Sequence, residues 1–181
     1  MTPGESVVSV VLLPNPADSA QLVDCSQLIH ERTNSLIRLS DQFLPHISVA
    51  QFTAPAEEAA ALWEQVRHLS AHVSELESAG LSFVPDAHED GLWIELGFLR
   101  STAASELQAQ IIQSDFARQF KLHNHAGDSW RPHVTVGLVP GHSIPALNLA
   151  KLTIFKRSFQ NLTLAVGING EYWTFVETRF S

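Results

Sequence analysis

Two pentapeptides decide how this chain is read: Pro45-His46-Ile47-Ser48-Val49 and Pro132-His133-Val134-Thr135-Val136. Each is a Pro, a His, a branched aliphatic, a hydroxyl residue and a Val. Residues i and i+2 of a β-strand point to the same side, so a strand here turns His46 and Ser48 one way and Ile47 and Val49 the other. His133 and Thr135 are set likewise against Val134 and Val136. The polar pairs are expected to line a surface while the aliphatic pairs feed a core. Ala50 and Gly137 continue the polar side and are small, which suits a ligand lying close to the strand. Phe52, two positions further on, offers a face on which a base could stack. His68 and His72 also precede a Ser by two positions, but they fall on a helical stretch, where such neighbours do not share a face.

Working outward, each pentapeptide closes a unit of strand, helix and strand. In the first unit the Val-rich run Val7 to Leu13 ends at Pro14. Asn15 can then cap a helix with Pro16 in its first position and Leu22, Cys25, Leu28 and Ile29 on its apolar face, fraying near Thr33. The second unit has a strand from Leu92 to Phe98 and a helix from Thr102 to about Phe120, with Leu107, Ile111 and Ser114 on one face. Between the units, Ala59, Leu62, Val66, Leu69 and Val73 form one helical stripe, followed by a strand around Gly80 to Val84 and a polar turn from Asp86 to Gly91. The tail from Leu152 to Phe180 reads as two or three strands with turns near Asn161 and Gly170. Strands outnumber helices and come in runs, so the expected class is α+β, in one domain of two related halves spanning residues 1 to 181.

The composition narrows the function. A chain of 181 residues with 45% hydrophobic residues can bury a sizeable core without a disulfide or a structural metal. The formal charge of −8 argues against a protein that neutralises many phosphates along duplex DNA, and leaves room for a small anionic ligand held by a few groups. Cys25 is the one cysteine, which excludes an intramolecular disulfide and a Cys-rich zinc framework and suits a reducing cytoplasm. No run approaches the roughly 20 apolar residues of a membrane span. Nine His residues invite proton chemistry. His123 and His125 beside His133, and the trio His88, Glu89 and Asp90, sit in loops without the spacing of a zinc site, so no metal is expected. Arg131 shares the parity of His133 and could reach a phosphate. Trp130, Tyr172 and Trp173 are further stacking candidates, and Arg100, Lys156 and Arg157 read as surface charges.

Two His-x-Ser/Thr motifs with hydrophobic flanks, in a repeat of this size, resemble the 2H phosphoesterase superfamily. That group includes bacterial RNA 2',3'-cyclic phosphodiesterases, once called 2'-5' RNA ligases, and plant cyclic phosphodiesterases. The resemblance covers nearly the whole chain. Two departures stand out: Ser48 replaces the commoner Thr, and Gly137 and Leu138 stand where a basic residue often follows the second motif. The resemblance implies two pseudo-symmetric lobes, each an antiparallel sheet with helices outside, and a groove between them. It implies metal-independent, cofactor-free hydrolysis of 2',3'-cyclic phosphates to 2'-phosphates, or of 2'-5' phosphodiesters, at RNA 3' ends or in small nucleotides. His46 and His133 would be the general acid and base, with Ser48 and Thr135 donating to the nonbridging oxygens. Residue types leave the two proton roles open; the family analogy makes His46 the acid and His133 the base, with both limbs of a bell-shaped rate profile near neutrality. A monomeric cytoplasmic protein is expected. The rival is a non-catalytic module binding a nucleotide or RNA end on the same fold.

Overall fold

The computed structural model describes residues 5–70, 73–86, 90–140, 158–171 and 174–181. In chain order its elements are β1 (Glu5–Leu13), α1 (Pro16–Thr33), β2 (Ile47–Pro55), α2 (Ala59–Val66), β3 (Glu75–Pro85), β4 (Gly91–Phe98), α3 (Thr102–Ile112), α4 (Asp115–Gln119), β5 (Lys121–Leu122), β6 (His133–Pro140), β7 (Ser158–Gln160), β8 (Thr163–Asn169) and β9 (Phe175–Phe180), with short 3-10 turns between some of them. Two antiparallel sheets result, of strand order β5-β2-β1-β8-β9 and β6-β4-β3-β7. The architecture is α+β with two regions of sheet and helix. The sheets are not the two halves of the chain, however, because β5, β8 and β9 join the first sheet and β7 the second. The helices are exchanged as well: α1 packs on β6 and α3 on β2, while α2 covers β8 and β9. One continuous apolar core runs through both sheets, from Val8 and Val10 to Val134 and Val136. Among the described residues no helix is long and apolar enough to cross a membrane.

Local chemistry accounts for most element ends. Asn15 Oδ1 accepts from the backbone N–H of Ala17 and Asp18, Pro16 occupies the first turn, and Asn34 closes α1 in the left-handed region at φ 54°. The helix buries Leu22, Cys25 and Ile29 together with Ser26, whose hydroxyl accepts from Leu39 N at 2.9 Å. The helix expected from Thr102 to Phe120 is broken: Ser114 caps α4 by accepting from Ala117 N, and so does not lie on an apolar face. The stripe from Ala59 to Val73 is buried throughout, although α2 stops at Val66 and a 3-10 turn carries His68 and Leu69. His72 lies outside the described residues, as do Leu152 to Arg157 of the tail. The strand expected around Gly80 to Val84 begins earlier, at Glu75.

The two motif strands share an irregularity. Against β1, Ala50 pairs with Val10 but Ser48 pairs with Val11; against β4, Gly137 pairs with Ile94 but Thr135 pairs with Glu95. Each motif strand thus carries an extra residue, Val49 or Val136, directly after its hydroxyl residue. Such a bulge inverts the alternation beyond it. Ala50 and Phe52 therefore turn into the core, and Gly137 turns toward α1, where an added Cβ would lie 3.0 Å from Ile29 Cγ2. The small residues at 50 and 137 serve packing, which corrects the reading that they clear space for a ligand.

Gly167 of β8 is the tightest point beside the first motif. A Cβ there would lie 1.9 Å from the Glu177 carbonyl oxygen and 2.5 Å from Phe175 Cζ. Gly167→Ala should displace β9 and the Phe175 ring, lowering stability by about 3 kcal/mol, the upper end of the usual range for overpacking. Urea denaturation measures this, and an unchanged midpoint would contradict the close approach.

Candidate functional site

A cavity of about 440 Å³ opens between the sheets, and both motifs line it through His46, Ser48, His133 and Thr135. The two imidazoles are held alike. His46 Nδ1 lies 2.9 Å from the Leu44 carbonyl oxygen and His133 Nδ1 lies 2.8 Å from that of Arg131. A carbonyl can only accept, so each Nδ1 carries the proton and donates it, which leaves Nε2 as the ring nitrogen not tied to the backbone. The intervening Pro45 and Pro132 have a fixed φ and hold the preceding residue extended, stiffening the span across which each ring reaches back.

The surroundings of the two rings differ. His46 packs on Phe175, with ring centroids 5.4 Å apart. Phe175 belongs to a small apolar cluster with Val11 and Ala165, flanked by Leu13 and Leu44. Burial is the main cause that lowers the His46 pKa from the ordinary 6.5 to about 4; the bond to Leu44 opposes this and the charge of His133 adds to it. His133 instead meets a carboxylate, with Glu95 Oε1 3.5 Å from its Nε2. Glu95 Oε2 lies 3.3 Å from Arg131 Nη2, and Arg131 also lines the cavity. The difference comes from the register. In β1 the residue opposite Ser48 is Val11, and in β4 the residue opposite Thr135 is Glu95.

Of the six site residues expected from sequence, His46, Ser48, Arg131, His133 and Thr135 border the cavity. Phe52 does not. It is fully buried with its ring edge-on to Phe116, because the bulge at Val49 reverses the parity on which its stacking role rested. Gln51 reaches the cavity instead. Trp130 borders the cavity but is buried, and its indole N–H donates to the Ser48 carbonyl at 3.1 Å, bracing the motif strand. Arg100 bonds to Asp128 and the Gly127 carbonyl. Tyr172, Trp173, Lys156, Arg157, His88 and Glu89 lie outside the described residues. Among the described residues no three His, Cys, Asp or Glu side chains gather as a metal site. His123 makes a short contact with Thr53 Oγ1, and burial, with Lys121 second, lowers its pKa.

Sequence reasoning missed Glu95, Trp93, Gln108 and Asn124. A signal existed for Glu95, the lone charge in the apolar run Leu92-Trp93-Ile94-Glu95-Leu96, and for Trp93, which shares its face. Gln108 and Asn124 both donate to the Val49 carbonyl, each at 3.0 Å, and Asn124 accepts from Gln51 N at 2.8 Å. They hold the first bulge by contacts over 50 residues distant in the chain, which no local pattern announces.

No protein-family model matches the chain, and none of the curated proteins does. Among solved structures, a crystal structure described as a phosphoesterase is 13% identical to the chain, covers 97% of it and is covered over 94% of its own length, with a TM-score of 0.47.

The burial of His46 has a consequence for stability. On acidification the unfolded chain protonates this ring near 6.5 while the folded protein resists until about 4, so its contribution to stability is lost as pH falls through that window. Urea midpoints measured from pH 7 to 4 should decline more steeply for wild type than for His46→Gln. Equal slopes would show that the ring is not desolvated.

Proposed function

We propose that this chain is a metal-independent phosphoesterase of the 2H type, hydrolysing 2',3'-cyclic phosphates or 2'-5' phosphodiesters at RNA 3' ends or in small nucleotides. The observation that carries the reading is the mirrored pair: two imidazoles with Nδ1 tied to a carbonyl two residues back, each beside a hydroxyl two residues on, all bordering one cavity. In-line displacement at phosphorus needs an acceptor for the proton of water on one side and a donor to the leaving oxygen on the other. Two histidines supply both.

The environments favour a division of labour opposite to the family analogy. His46, desolvated against Phe175, stays neutral and is suited to be the base; that leaves the acid role to His133, whose Nε2 faces the Glu95 carboxylate. His46 Nε2 takes a proton as water oxygen bonds to phosphorus. The bond from phosphorus to the ribose O3' breaks, and O3' receives the His133 proton, giving a 2'-phosphate. Ser48 and Thr135 hydroxyls donate to the nonbridging oxygens, where charge builds. The remaining contacts fit a small ligand: Trp93 is half-buried at the cavity wall beside Val84 and Pro85, a face apolar enough for a base.

Hydrolysis of a panel of 2',3'-cyclic nucleotides tests the reading. His46→Ala and His133→Ala should each lose about 10²- to 10⁴-fold in kcat with binding retained, and Ser48→Ala or Thr135→Ala about 10²-fold. Turnover should not require added metal. A wild type that binds these nucleotides and never turns them over would favour the non-catalytic module. With His46 as base, the acid limb of kcat/KM should lie near pH 4, the value set by burial, instead of near neutrality. His133→Ala should abolish the alkaline limb in whatever activity remains. An acid limb near neutrality would restore the opposite assignment.

A further inference from the structure

We infer that Glu95 sets the charge of the cavity so that it accepts a phosphodiester bearing one negative charge and disfavours a phosphomonoester bearing two. The inference rests on the phosphoesterase reading and deepens it: Glu95 would discriminate substrate from product.

Glu95 is 8% exposed at its side chain, and its oxygens are divided between His133 and Arg131. Oε1 faces His133 Nε2 at 3.5 Å, and Oε2 takes Arg131 at 3.3 Å and Ser82 Oγ at 3.4 Å. Among the described residues lining the cavity, Arg131 is the permanent cation, set against Glu95 and Asp86. The charge available to a bound phosphate is therefore already shared with a buried carboxylate. A cyclic diester has one ionised oxygen. Ring opening makes a monoester whose second proton leaves near pH 6, so the product is largely dianionic at neutral pH. A second unit charge placed several ångströms from a buried carboxylate weakens binding on the order of tenfold or more. The placement is one-sided: the corresponding position of the first motif is Val11, fully buried. A carboxylate needed only to anchor Arg131 has no need of its second contact, to His133 Nε2.

Calorimetric titration at pH 7.5 tests this, with a nucleoside 2'-monophosphate and the matching 2',3'-cyclic phosphate as ligands. His46→Gln serves as the background, so that the cyclic ligand is not consumed, and the second protein is His46→Gln with Glu95→Gln. The first should prefer the cyclic ligand by tenfold or more. The double variant should lose at least most of that preference through tighter monoester binding. An unchanged ratio overturns the inference, and so does failure of both ligands to bind. Should the double variant not fold, Glu95→Ser in the same background takes its place: the preference for the cyclic ligand should again fall through tighter monoester binding, and an unchanged ratio overturns the inference. Absence of turnover together with a Glu95-dependent ratio would sink the proposed reaction and leave the charge selection standing; turnover with no dependence on Glu95 would do the reverse.

Discussion

One extra residue in each motif strand is the constraint on which the arrangement depends. A regular strand from His46 to Phe52 would keep a single face toward the cavity over its whole length. The bulges at Val49 and Val136 let each strand present His and a hydroxyl at its first end, then turn Phe52 or Gly137 into packing at its other end. The same backbone thereby serves the site and the core without burying an unpaired polar side chain on either. The freed carbonyl of Val49 is satisfied by Gln108 and Asn124, as a buried acceptor must be.

The pseudo-symmetry of the motifs is broken by what lies on the neighbouring strand. Val11 beside Ser48 continues into the cluster around Phe175, which desolvates His46; Glu95 beside Thr135 gives His133 a carboxylate. Two near-identical imidazoles thereby stand in different surroundings, one against an aromatic ring and one beside a carboxylate. Gly167 takes part at a distance, since only the absence of a side chain there lets Phe175 lie where His46 packs.

The exchange of helices ties the two sheets together. Ile29 of α1 packs at Gly137, and Ser35 just beyond that helix bonds to both the N–H and the carbonyl of Leu138. Reciprocally, Gln108 of α3 bonds at Val49 of the other motif strand. The backs of both motif strands are thus braced by the helix of the opposite unit, and the cavity between them inherits that rigidity.

The amino-acid sequence by itself determined the motif strands, the α+β class and the limits of α1, because these follow from short-range causes. Proline fixes φ, asparagine caps, and alternation assigns faces within a few residues. It also brought His46, Ser48, His133 and Thr135 to notice as one set, through the repeat. Only the tertiary structure decided where alternation fails, since Val49 and Val136 are ordinary strand residues and their bulges are set by pairing with β1 and β4. It likewise decided which sheet received β7, β8 and β9, which helix covered which strand, and that Glu95 meets His133. Each of these is a pairing between segments far apart in the chain, selected by the burial of the whole core, and local periodicity carries no record of that choice.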